Sequence, residues 1–314
     1  MLHLYKQCTI NEGIIIFFSN MKPRVIFLNN YGFALRTIRE SKNVSLESLS
    51  GSTISKSNLS KFETGQIDLT LNKFISVLNK LNVSFTEFEL IANNYNLDTT
   101  SKLFDIVNTA YEMESILTLK GLAITEKDKW ERDKNIRYKL NYIMIEALIH
   151  DIDKEKVNQE DVSFIIDYLF SCEIWGKYEL VLYGNSMSIL KYETIITLSK
   201  ELIHKVNSYK KIMPNYETII NIITNTTIMS VEKNDKNTSF YFLSFLENAD
   251  IPESFFLERT IICFVKGLLH IRFLSYDQGV VFCETSLNVM KSIGSDNYYL
   301  KFNNYFSEFT RNVS

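Results

Sequence analysis

Breakers of regular structure are scarce in this chain, with three prolines and ten glycines among 314 residues. So little punctuation excludes turn-dense sandwiches and barrels and favours long helices. Cysteine is scarce too. Cys8, Cys172, Cys263 and Cys283 form no CxxC and no close pair, so they read as reduced, mostly buried thiols rather than a disulfide framework or a zinc site. The apolar run Ile14–Phe18 falls far short of the roughly 20 residues that a membrane-spanning helix needs. It also lacks the basic flank and small-residue cleavage site of a secretory signal. A cytoplasmic protein with no membrane partner is expected. Residues 1–28 read as an N-terminal extension, with Met21 a candidate start.

Catalytic patterns are missing as well. No GxxxxGK[ST], GxGxxG after a strand, HExxH or GxSxG occurs, so neither an enzyme nor a cofactor is expected. The four histidines are scattered. His150 stands at an expected helix end, where it suits terminal carbonyls. Cys263 and His270 fall on one helix face, which fits a structural pairing. The mixed run Glu126–Asp133 reads as the solvated start of a helix.

What is present is an apolar content of 46% with 23% charged residues, enough for a real core. The net charge of −3 conceals a division. Residues 21–95 hold nine Lys/Arg against six Asp/Glu, a balance of +3, while residues 96–314 hold 24 against 30, a balance of −6. A mildly basic head on an acidic body suits a small DNA-binding module joined to a larger domain of another kind.

Periodicity in the head predicts five short helices over residues 29–92. Leu35 and Ile38 share one stripe with Phe33 and Ala34, leaving Arg36, Arg39 and Glu40 outside. Ser45 caps a short second helix through Leu46 and Leu49, and Gly51-Ser52-Thr53 supplies a turn. Ser55 caps a third helix in which Leu59 and Phe62 face inward, pushing Lys56, Ser57, Ser60 and Lys61 outward. Gly65 closes it. Glu63 is better suited to anchoring the helix end than to approaching phosphates. A fourth helix turns Leu71, Phe74, Ile75 and Leu78 inward, and Ser84-Phe-Thr-Glu87 is a capping box opening a fifth. A capped helix with a polar outer face between two short helices is the build of a helix-turn-helix.

Gly-Phe-Ala-Leu-Arg-Thr-Ile-Arg (32–39), Ser60-Lys-Phe-Glu-Thr-Gly65, Leu81-Asn-Val-Ser-Phe-Thr-Glu-Phe88 and Ile174-Trp-Gly-Lys-Tyr-Glu-Leu180 together resemble the Rgg/GadR/MutR transcriptional regulators of Gram-positive bacteria. That resemblance covers most of the chain. It implies an XRE-type helix-turn-helix in which Lys56, Ser57 and Lys61 face the major groove, with Ser55 and Asn58 nearer the backbone. Lys reaching guanine O6/N7, and Ser and Asn as versatile donors and acceptors, agree in chemistry. Arg36 and Arg39 are candidate phosphate contacts; solvated polar residues on a small helix are the bland alternative. Thr64 stands where the family usually carries a basic residue. The head holds no cysteine, so a disulfide joining two heads has no partner within it.

Residues 93–100 break the apolar rhythm and read as a linker. Beyond it, residues 101–314 carry amphipathic segments near 101–120, 130–150, 159–171, 175–190, 192–209, 215–230, 238–248, 254–274, 276–292 and 296–310. These ten helices pair as five hairpins with a repeat of about 40 residues, the pattern of an all-α, TPR-like stack. A hairpin cannot bury its own apolar face, whereas a stack shares one core and leaves a concave surface. The resemblance implies that this body binds a short apolar pheromone peptide, as in quorum sensing, and mediates homodimerisation. Arg137, Tyr142, Asn185, Met187 and Arg272 are the candidate peptide contacts, since amides, phenols and guanidinium groups satisfy peptide backbone and carboxylate. Asn185 and Tyr142 fit helix packing equally well, and Arg272 a surface charge.

The expected function is a homodimeric regulator whose hold on double-stranded promoter DNA, or whose contact with RNA polymerase, changes with bound peptide. Alternatives are a regulator answering metabolic state without a pheromone and a TPR-like adaptor that binds no DNA.

Overall fold

The computed structural model describes residues 31–96, 98–209 and 211–313, and those residues form helices and turns without a strand. Two compact units divide the chain, one ending at Ile106 and the other running from Val107.

The first unit holds α1 (Tyr31–Ser41), α2 (Leu46–Leu49), α3 (Lys56–Glu63), α4 (Leu71–Lys80) and α5 (Phe85–Ala92). Serine begins three of these helices. The hydroxyls of Ser45, Ser55 and Ser84 accept from the backbone N–H of Ser48, Asn58 and Glu87, satisfying donors that a helix start leaves open. Glu87 completes the capping box through the Ser84 N–H, and these hydrogen bonds hold its carboxyl below the usual range. Leu35, Ile38, Leu49, Leu59, Phe62, Val77, Leu78 and Phe88 fill the core. Phe74 meets Phe62, Phe85 and Phe88 edge-on. The inward stripe of α4 is Phe74, Val77 and Leu78, continued by Leu81. Leu71 and Ile75, expected inside, are 63% and 40% exposed because the buried face is centred towards Val77, on the side of Phe74 and Leu78 away from them. Gly32 lets α1 lie directly on α3: a Cβ there would sit 1.9 Å from the Phe62 carbonyl oxygen.

The second unit begins inside α6 (Thr99–Glu112). It continues through α7 (Ile116–Asp133), α8 (Ile136–Asp153), α9 (Gln159–Ser171), α10 (Lys177–Ser186), α11 (Tyr192–Tyr209), α12 (Met213–Glu232), α13 (Lys236–Asn248), α14 (Phe256–Phe273), α15 (Tyr276–Ser292) and α16 (Asp296–Val313). The single helix expected near 101–120 is therefore two. Glu114 turns left-handed at φ 50° between α6 and α7. Lys134 does the same at φ 53° after α7, which carries Trp130–Asp133 as its end rather than as the start of α8. Three further residues, Met187–Ile189, form a 3-10 turn after α10.

Two packing devices organise this unit. α12 is buried around most of its circumference and packs against α10, α11, α13 and α14. It carries Thr224, Thr226, Thr227 and Ser230 inside by back-bonding their hydroxyls to the carbonyls four residues earlier. α14 and α15 cross with glycine against glycine. A Cβ on Gly267 would meet Cys283 Sγ at 2.5 Å and the Gly279 carbonyl at 2.7 Å.

Candidate nucleic-acid interface

α3 owes its orientation to what lies beneath it. Leu59 is fully buried and Phe62 nearly so, which leaves Lys56, Ser57, Asn58 and Lys61 exposed on the opposite face. Gly65, at φ 73°, ends the helix in the left-handed region that glycine enters without strain. Ser55 is spent on capping, so its hydroxyl serves the helix start before it can serve a ligand. Thr64 bonds back to the Ser60 and Lys61 carbonyls.

Four of the candidate DNA contacts thus form one polar face, with Ser55 at its beginning. Lys56 does not stand alone there. Its ammonium lies 2.8 Å from Glu47 of α2, a partner that sequence reasoning passed over because the two are nine residues apart across a turn. Lys80 of α4 donates to the Leu49 and Ser50 carbonyls and fixes the end of α2.

The two arginines separate. Arg36 is exposed and pairs with Glu40 one turn along at 2.8 Å, a pair loose enough to exchange for a phosphate. Arg39 is buried. Its Nε and Nη2 donate to Glu63 Oε1 and Oε2 at 2.7 and 2.9 Å, and Nη1 donates to the Val44 carbonyl. Hydrogen bonding to Glu63 holds the guanidinium yet more firmly protonated. Arg39 is therefore a clamp between α1 and the end of α3, buried where the expected phosphate contact would need it exposed. Glu63 plays the anchoring part expected of it.

The body candidates do not converge. Arg137 and Asn185 lie at the α8–α10 seam. There Tyr178 of α10 donates to the Arg137 carbonyl, and the Asn185 amide sits 3.7 Å from Met144 sulfur. Tyr142 faces α7 instead, with the Lys127 ammonium 5.6 Å from its ring centre. Arg272 belongs to α14, where its guanidinium stacks 4.9 Å from the Phe309 ring of α16 and its Nε is buried without a hydrogen bond. Met187, expected to touch peptide, has no exposed surface and supports the seam from inside.

A buried polar chain beneath Arg137 escaped sequence reasoning. Glu126, expected in a solvated run, is 1% exposed and accepts from Lys129 and Asn141 at 2.6 and 2.7 Å. Asn141 in turn accepts from Tyr178, whose phenol is pushed up by burial. Glu126 follows the buried Leu119 and Ala123 at helical spacing on α7, which puts it on the inward face. His150 does bond a carbonyl past its helix end, that of Glu155 at 2.6 Å. Cys263 and His270 are each engaged with Phe282 of α15. Among the described residues no group of three His, Cys, Asp or Glu is arranged to hold a metal ion, and no helix is long and apolar enough to cross a membrane.

Comparison with known proteins agrees with this division. A helix-turn-helix profile matches residues 35–88. The profile described as "HTH-type transcriptional regulator Rgg, C-terminal domain" matches residues 119–304. The crystal structure of the Streptococcus dysgalactiae SHP pheromone receptor Rgg2 aligns at 25% identity and a TM-score of 0.74, over 88% of this chain and 99% of that one. A protein from Listeria monocytogenes EGD-e, at 17% identity, aligns with a TM-score of 0.80 over 90% of this chain and 98% of its own. The PrgX/cCF10 complex, at 15% identity, aligns with a TM-score of 0.67 over 90% and 92%. The last two speak for the fold alone. With a basic helix-turn-helix head and an acidic helical body matched over most of its length, the chain belongs to the Rgg family of helix-turn-helix transcriptional regulators.

Proposed function

We propose that this regulator binds promoter DNA as a homodimer through α3 and that a short apolar peptide, held by the body, sets the affinity of that binding or its consequence for RNA polymerase. The DNA-binding head falls within residues 29–92 and the peptide-responsive body follows it, all in the cytoplasm; the expected linker 93–100 is shorter at its far end, since Thr99 and Thr100 already belong to α6. The observation that carries the DNA half is the solvent-facing set Lys56, Ser57, Asn58 and Lys61 on a helix clamped by Arg39–Glu63. Two such helices would enter successive major grooves of an imperfect palindrome. The peptide half is supported by likeness to a pheromone receptor over nearly the whole chain. It is also supported by half-buried polar groups whose commitments are weak, Asn185 against a thioether and Arg272 against a ring. Arg137, Tyr142, Asn185 and Arg272 are its candidate contacts. Coupling follows from linkage: the peptide shifts DNA affinity only by its own preference between two conformations of the body.

The test is one titration series on a promoter fragment, with and without peptides purified from spent medium. Lys56→Ala with Lys61→Ala should weaken promoter binding about 10- to 100-fold and flatten its salt dependence, with helicity unchanged. Wild type should respond to peptide and Asn185→Ala should respond less. Equal promoter affinity in the double variant would refute the DNA half. A full response in Asn185→Ala would remove that residue, and no response in wild type would favour a regulator without a pheromone.

A further inference from the structure

Lys56 opens α3, and Glu47 on α2 reaches it across the turn at 2.8 Å through Oε2. Both side chains are well exposed, 79% for Glu47 and 58% for Lys56. A solvated pair of this kind adds little to stability, so holding the head together does not explain it. Its place does. The first residues of a recognition helix meet base edges, and the carboxylate paired to Lys56 is carried to the same spot.

A carboxylate beside DNA is repelled by phosphates unless it meets a donor. In the major groove the base-edge donors are the amino groups of cytosine N4 and adenine N6. Adenine sets the acceptor N7 beside its amino group, so reading it needs a donor and an acceptor together, and an ionised carboxylate only accepts. Cytosine N4 has no such neighbour on its own base. Its partner guanine offers O6 and N7, both acceptors suited to a lysine ammonium.

We propose that Glu47 is a specificity-determining residue: coupled to Lys56, it reads a C·G pair once in each half-site, Oε1 accepting from cytosine N4 while Lys56 donates to guanine O6/N7. The proposal rests on α3 being the recognition helix. It adds a base reader from α2, with a sign of charge opposite to the rest of the face.

The experiment is selection of binding sites from randomised duplex DNA at one fixed salt concentration. It uses the full chain as wild type, Glu47→Gln, Glu47→Ala, and Lys56→Ala with Lys61→Ala. Glu47 is exposed and lies outside the core, so circular dichroism should show all heads folded. Wild type should enrich C·G at one position of each half-site. Glu47→Ala should lose on the order of tenfold discrimination there and keep its other preferences. Glu47→Gln should move the preference towards A·T, because a carboxamide presents the donor and acceptor that adenine requires. The proposal is overturned if both Glu47 variants enrich the wild-type sequence and bind it uniformly tighter, the behaviour of a carboxylate that merely repels phosphate. It is overturned together with the recognition-helix reading if the lysine double variant enriches the wild-type sequence at full affinity. Loss of binding in the lysine variant with unchanged Glu47 preferences overturns the proposal alone.

Discussion

Arg39 and Glu63 stand 24 residues apart in sequence and make two parallel hydrogen bonds inside the head. A buried pair of this kind is costly to break on one side, because the guanidinium left behind is largely shut off from water and keeps only the longer contact to Glu40 at 3.3 Å as a charge partner. Glu63→Ala should therefore destabilise the head by about 3–5 kcal/mol. Arg39→Met combined with Glu63→Leu, which removes both charges and keeps the volume, should cost much less. Chemical denaturation of the variants decides it; equal losses in the single and double variants would mean that packing, not charge, sets the cost. The clamp was legible in part. Arg39 follows Leu35 by four positions and Ile38 by one, which places it on the buried stripe, yet residue type suggested a phosphate contact. Met187, included among the peptide contacts, is turned inside by the 3-10 turn at 187–189. Residue type says what a side chain can do, whereas burial decides whether it meets a ligand.

Among the elements, α14 and α15 show why the few glycines matter. Gly267 and Gly279 allow the two backbones to touch, and a methyl on either would press on backbone atoms that no rotamer change can move. Gly267→Ala should destabilise the body by about 1–3 kcal/mol. Gly121, in the exposed face of α7, has nothing within 4 Å of an added Cβ. Gly121→Ala should stabilise by about 0.5–1 kcal/mol, by helix preference alone. Thermal unfolding of both variants reads the contrast, and a neutral Gly267→Ala would mean that the pair can separate freely. Most body helices were legible from apolar rhythm, α9, α11 and α15 at the expected limits. The limits around α6, α7 and α8 were not, because Glu114 and Lys134 end those helices in left-handed geometry without a glycine to signal it.

At the scale of the whole molecule, the basic head and acidic body were legible from charge counts alone, whereas the place of the proposed peptide site was not. Its candidates lie on α8, α10 and α14, and periodicity within one helix cannot report which seams of a stack adjoin. The acidic body has its own signature. Burial pushes the carboxyls of Glu146, Glu217 and Glu232 above the usual range, with Tyr305 donating to Glu232 at 2.7 Å and opposing the rise there. A carboxyl raised on folding takes up protons as the chain folds, so its contribution grows as pH falls through the raised value and is lost as pH rises. The carboxyls held low, among them Glu87 and Asp235, are already ionised above pH 5 and leave that window alone. His270, lowered by burial, works the other way. Glu232→Gln should therefore remove part of the stability that wild type gains, relative to the variant, between pH 7 and pH 5. Parallel melting curves for the two proteins across that window would contradict this. α12, finally, bears on time rather than on place. A helix with almost no face for water cannot wait, half-formed, for its neighbours to arrive. The slowest-exchanging amides of the body should therefore lie in α12 and in the faces of α10, α11, α13 and α14 packed on it, with faster exchange towards the ends of the stack.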